Sequence, residues 1–167
     1  MQTADLLFLV HYNEWANRRI LAATARLTPE QFLAPTGLAW GSVRDVLVHA
    51  LGAEWIWRVR LQHGEAPTRL LDTAGFGSFD ALVESWEVEM AQMRAYVGSL
   101  DDEALGRTVP YRSTKGQPFE GVLWRILLHV ANHGTQHRAE VAHVLTGYGC
   151  SPGDVDMIVF MRQQPQS

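Results

Sequence analysis

Apolar side chains recur at three- and four-residue spacing in four long segments of the chain, and Gly, Pro, Ser and Thr cluster between them. The first segment predicts a helix from about Thr3 to Arg26, with Leu6, Val10, Asn13, Asn17, Ile20 and Thr24 on one face. Thr28-Pro29 then reads as a fresh N-cap with proline at the first helical position, for a short turn over Glu30–Leu33. The second helix runs from Ser42 to about Gln62, with Val43, Val46, Ala50, Ala53, Trp57 and Leu61 as its stripe, and stops at Gly64. The third is capped by Ser78, carries Phe79, Leu82, Val83, Trp86, Met90, Met93 and Val97, and ends at Gly98. The fourth begins near Pro118 and reaches Thr146, before Gly147 and Gly149. A short helix is expected over Asp154–Arg162.

Between the third and fourth helices, residues 107–119 alternate as an extended pair around a polar Ser113–Gly116 turn, so a small hairpin is expected near 108–119. The fold class predicted is all-α, a single four-helix-bundle domain over residues 1–167. Its connections at 64–77 and 99–117 are longer than the usual bundle loop of about 2–8 residues.

Composition narrows the function. The chain is 47% hydrophobic and 19% charged with net charge −4, a globular balance that offers no basic face for nucleic acid. One cysteine, Cys150, excludes an internal disulfide and fits a reducing compartment; it lies in a turn with no base beside it in sequence and is expected to be non-catalytic. The first fifteen residues lack a basic leader, and no stretch approaches the roughly 18 apolar residues of a membrane span. A cytoplasmic protein without membrane or nucleic-acid partners is expected.

The candidate chemistry lies in the fourth helix. His129, His133 and His137 fall one helical turn apart. The outer two are separated by roughly 12 Å of helix rise, so one ion can take only an adjacent pair, 129/133 or 133/137. Leu127, Leu128 and Val130 hem in His129, whereas Gln136 and Arg138 flank His137, which favours His133 with His137 and leaves His129 as packed core or pocket wall. The third ligand should come from another helix, with His49 the leading candidate over His11, His63 and His143. The competing interpretation is a set of packed, hydrogen-bonded core histidines. The metalloprotease pattern H-E-x-x-H is absent. Glu140 lies two turns beyond His133 on its face, placed to orient a ligand or to stand as a solvated carboxylate. Asn13 and Asn17 interrupt the apolar face of the first helix and mark a polar pocket or a cross-helix hydrogen bond. Trp15, Trp40 and Trp124 are expected in the core rather than around a pocket.

Four segments together resemble the DinB/YfiT-like family of metalloenzymes: HYNEWANRRIL, WGSVRDVLVHALGAEWIW, LLHVANHGTQHRAEVAHVLTGYG and GCSPGDVDMIVFMR. The resemblance covers nearly the whole chain. It implies a four-helix bundle, frequently a homodimer, with one divalent metal ion (zinc, nickel or iron) held by His49, His133 and His137. It also implies a small-molecule substrate, since characterised relatives include thiol-dependent S-transferases and isomerases that use a low-molecular-weight thiol as cosubstrate. A thiol-dependent S-transferase or a hydrolase is therefore the expected activity. The alternatives are a non-enzymatic metal-binding stress-response bundle and a metal-free dimeric scaffold. The chain departs from the family's H-R-G-Q segment, reading His137-Arg138-Ala139-Glu140, which adds a charge at Glu140 beside the expected ligands.

Overall fold

The computed structural model describes residues 1–164. In chain order its elements are α1 (Thr3–Thr24), α2 (Pro29–Leu33), β1 (Pro35–Leu38), β2 (Gly41–Ser42), α3 (Val43–His63), a single 3₁₀ turn at Thr73–Gly75, α4 (Phe79–Gly98), α5 (Asp102–Leu105), β3 (Thr108–Arg112), β4 (Pro118–Val122), α6 (Leu123–Gly147) and α7 (Met157–Gln163). The protein is mostly helical with two small antiparallel hairpins, so the all-α description needs that amendment. Among the described residues, no helix is long and apolar enough to cross a membrane.

Local chemistry sets the helix ends. Ser42 and Asp45 form a reciprocal capping box that starts α3, and Gly64 closes it in the left-handed region at φ 66°. Thr28 with Gln31 does the same for α2, and the Ser78 hydroxyl accepts from Ala81 N–H to start α4. The sequence places the start of α6 too early. Pro118–Val122 pairs instead with β3, Tyr111 opposite Phe119, because an extended strand keeps those rings stacked at 5.8 Å whereas a helix would separate them. The β1–β2 hairpin, α5 and the 3₁₀ turn carry too few residues to show a period.

The four long helices make a closed ring of contacts: α6 packs on α1 and α3, and α4 packs on the same two helices from the opposite side. Two apolar clusters fill the interior. One joins Ile20, Val46, Leu51, Leu82, Trp86, Met90, Val141 and Leu145. The other joins Leu6, Leu61, Met93, Val97, Leu123, Leu127 and Val130. Fully burying a side chain of this kind contributes about 1.5–3 kcal/mol.

Along α1, α3 and α6 a polar layer separates the two clusters. Glu54 of α3, 3% exposed, accepts from Asn13 Nδ2 at 2.9 Å, Asn17 Nδ2 at 3.0 Å and, through its other oxygen, Trp86 Nε1 at 3.2 Å. The amide oxygens of Asn13 and Asn17 both accept from Arg138 Nη1, and Thr135 Oγ1 accepts from Arg138 Nη2. All four long helices are thus joined by one set of buried hydrogen bonds. A buried donor left without its acceptor costs about 1–3 kcal/mol, so this layer selects one relative rotation of the helices even where apolar packing alone would accept several. Next to it, Arg58 of α3 makes a bidentate pair with Glu89 of α4 at 2.6 and 2.8 Å, both buried.

Gly134 leaves room for this layer. A Cβ there would sit 2.8 Å from Arg138 Nη1 and 2.9 Å from Asn13 Oδ1, and both of those atoms are held by their partners. Gly→Ala inside a helix ordinarily stabilises by about 0.5–1 kcal/mol. Gly134→Ala is predicted to do the opposite, lowering urea-unfolding stability by about 1–3 kcal/mol through the crowding of the layer. A gain in stability would show that the Arg138–Asn13 contact is dispensable.

Candidate metal centre

His49 sits on α3, seven residues after the Ser42 cap, and His133 and His137 sit one turn apart on α6. Because the polar layer fixes how α6 is turned against α3, the three rings converge. One nitrogen from each lies within 4.8 Å of the others. The ring centroids of His49 stand 5.1 Å from His133 and 4.7 Å from His137.

The donor set fits a cation. His137, 3% exposed, has its Nδ1 at 2.7 Å from Glu140 Oε2. A carboxylate only accepts, so Nδ1 donates to it and Nε2 is the nitrogen turned toward the cluster. That Nε2 faces His133 Nε2 at 3.2 Å. Two nitrogens bonded tetrahedrally to one ion at about 2.0–2.1 Å stand about 3.3 Å apart, so the pair already has ligand spacing. His49 Nδ1 is buried with no protein partner, an unmet polar atom at the edge of the cluster. Burial, reinforced by the neighbouring His137 ring, holds both the His49 and His133 imidazoles down to about 4, so each is neutral and able to donate to a metal near pH 7.

The surroundings differ in part from sequence expectation. Trp40 is not core: it is 45% exposed, at the tip of the β1–β2 hairpin, and stacks on His49 at 3.5 Å with the rings 16° from parallel. Gly41, at φ 98°, makes that tight turn; the Thr36 hydroxyl donates to its carbonyl. His129 is not packed core either. It is exposed, 5.8 Å from His133 and edge-on to Trp57 at 5.8 Å, because apolar neighbours in sequence lie on other faces of the same helix. His11, His63 and His143 are exposed and are not part of the three-histidine cluster. Asn13 and Asn17 belong to the polar layer; Asn13 also borders a core cavity of about 30 Å³ between α1, α3, α4 and α6. Trp15 and Trp124 are half-buried, and Cys150 packs against the core edge. Sequence reasoning missed Glu54, whose signal was a carboxylate on the apolar face of α3, and Trp40, whose role depends on a hairpin without a period.

Comparison with known proteins places the chain in a family. The model of the DinB family matches residues 1–167. The chain is similar to protein DinB of Bacillus subtilis (strain 168), 25% identical over 168 residues that cover 95% of this chain and 96% of that relative. The chain belongs to the DinB family.

In the metal-free protein the two depressed imidazoles make stability depend on pH. Their folded value of about 4 lies below the ordinary 6.5, so between those limits the unfolded chain binds more protons. Thermal melts of metal-free protein are predicted to show Tm falling as pH drops from 6.5 toward 4, and a smaller fall in the His49→Gln/His133→Gln variant. An equal fall in both proteins would assign the acid sensitivity to other groups.

Proposed function

We propose that this DinB-family chain is a divalent-metal-dependent enzyme, a four-helix-bundle domain whose ion is held by His49, His133 and His137. The observation that carries the reading is the convergence of three imidazole nitrogens within 4.8 Å, from two helices locked by buried hydrogen bonds. An ion held there supplies Lewis acidity to a thiol, water or carbonyl oxygen brought to it. The residues around it have separable tasks. Glu140 holds the Nδ1 proton of His137 and so orients Nε2 toward the cluster, the usual arrangement behind a ligating imidazole. Trp40 stacks on His49 and covers one side of it.

The reaction class favoured is thiol-dependent S-transfer or hydrolysis of a small molecule. Support comes from the ligand count. Among the described residues the cluster holds three donors, and Glu140 is engaged on the far nitrogen of His137 rather than added as a fourth. Three protein ligands with an open position are the pattern of catalytic centres, whereas structural centres close with four. This sets the enzymatic reading above that of a metal that only ties α3 to α6.

Tag-free protein is predicted to take up about one divalent ion per chain by mass spectrometry, and His133→Ala to lose it. Conjugation of a low-molecular-weight thiol to an electrophile, or cleavage of an activated ester, should rise with metal content. Uptake of one ion without either activity would leave the non-enzymatic reading. No uptake of zinc, nickel or ferrous iron would contradict the metal centre itself.

A further inference from the structure

Three arginines are buried among the described residues, and two of them are fully engaged. Arg58 pairs with Glu89, and Arg138 is held by Asn13, Asn17 and Thr135. Arg60, 6% exposed, has no such partner: its Nε and Nη2 are buried and make no hydrogen bond. Its guanidinium lies 4.9 Å over the Trp57 ring and 6.0 Å from the Tyr111 ring of β3. Desolvation lowers its pKa from the ordinary value, and among the described residues no carboxylate pairs with it. A guanidinium stays charged in proteins, so a buried one without a counter-charge is a cost to folding that an anion would relieve.

Arg60 also has a defined relation to the histidine cluster. It lies eleven residues beyond His49 on α3, so the two occupy nearly the same helix face about 16 Å apart in rise. Its side chain leans back over Trp57, toward that cluster. The gap is bridged by rings: His133 is 5.8 Å from His129, His129 is 5.8 Å from Trp57, and Trp57 is 4.9 Å from Tyr111. Exposed His129 and half-buried Trp57 and Tyr111 therefore form a chain of ring contacts from the three histidines to the guanidinium.

We infer that Arg60, walled by Trp57 and Tyr111, binds a carboxylate of an elongated small molecule whose reacting end lies at His49, His133 and His137. The inference rests on the proposed metal centre for the position of the reacting end, and names the substrate class: an acid with an apolar or planar stretch between its carboxylate and its reactive atom. The aromatic faces hold the middle of the molecule and tie the hairpin of β3 and β4 into recognition, a role for the aromatic pair Tyr111 and Phe119 beyond strand pairing.

The test uses two probes of equal length, mercaptoundecanoate and its uncharged alcohol mercaptoundecanol, titrated by calorimetry into metal-loaded and metal-free full-length protein. Wild type is expected to bind the acid at least about tenfold more tightly than the alcohol, the usual worth of a charge-assisted hydrogen bond. Arg60→Met should abolish that preference without lowering Tm, since it removes an unpaired buried charge, and Arg60→Lys should retain part of it. An acid preference in the metal-free protein that vanishes in Arg60→Met supports the carboxylate site whether or not the ion binds. Metal uptake with equal affinity for acid and alcohol in wild type, or an acid preference unchanged in Arg60→Met, overturns it while leaving the metal centre standing.

Discussion

Everything in this molecule turns on a buried carboxylate, Glu54, and the guanidinium of Arg138 that faces it across two asparagine amides. Each asparagine donates to the acid and accepts from the base, so charge on α3 and charge on α6 are linked through α1, while Trp86 ties in α4. Such a layer adds little net stability, because each group gave up water to enter it. What it contributes is uniqueness. Rotating α6 by one residue would strand Arg138 among apolar side chains and turn His137 away from His49. Arg138 is adjacent in sequence to His137, so one helix turn carries both the structural cation and the ligand.

The division of polar groups follows from this. Interior charges that serve the fold are paired: Glu54 by three donors, Arg58 by Glu89, and Glu14 by Arg94 and Arg18. Buried polar atoms without a protein partner include His49 Nδ1 and the Nε and Nη2 of Arg60 over Trp57, besides Glu14 Oε1, Arg19 Nε and the Tyr96 hydroxyl elsewhere in the fold. Unmet polar atoms are a cost to folding, and those of His49 and Arg60 fall where the proposed ion and its substrate would supply partners. Glu140 accepts from Nδ1 of His137 and so strengthens that ring as a donor.

Much of this was legible before the structure. Spacing gave the four long helices, because 3.6-residue periodicity over twenty positions is hard to mistake, and caps such as Ser42, Ser78 and Gly64 fell where the side-chain chemistry demands. The i, i+4 rule brought His133 and His137 to one face, but only tertiary packing could bring His49 to them; the family resemblance stood in for that geometry. Short elements were illegible for the opposite reason. The β1–β2 hairpin has no period, and so Trp40 was assigned to the core when it stacks on His49 in the open. Of the two readings of His129, packed core fails because neighbours in sequence are not neighbours on a helix face. Glu54 and Arg60 were hidden inside an apolar stripe where a charged residue reads as an interruption rather than as a function.

The central claim is that this packing builds a centre of three imidazoles with an open position. X-ray absorption at the metal edge of zinc-loaded protein tests it most directly. The account predicts three nitrogen scatterers at about 2.0–2.1 Å with the outer-ring pattern of imidazole, completed by light non-protein ligands. A sulfur shell from Cys150, or a first shell dominated by oxygen with one imidazole or none, would contradict it.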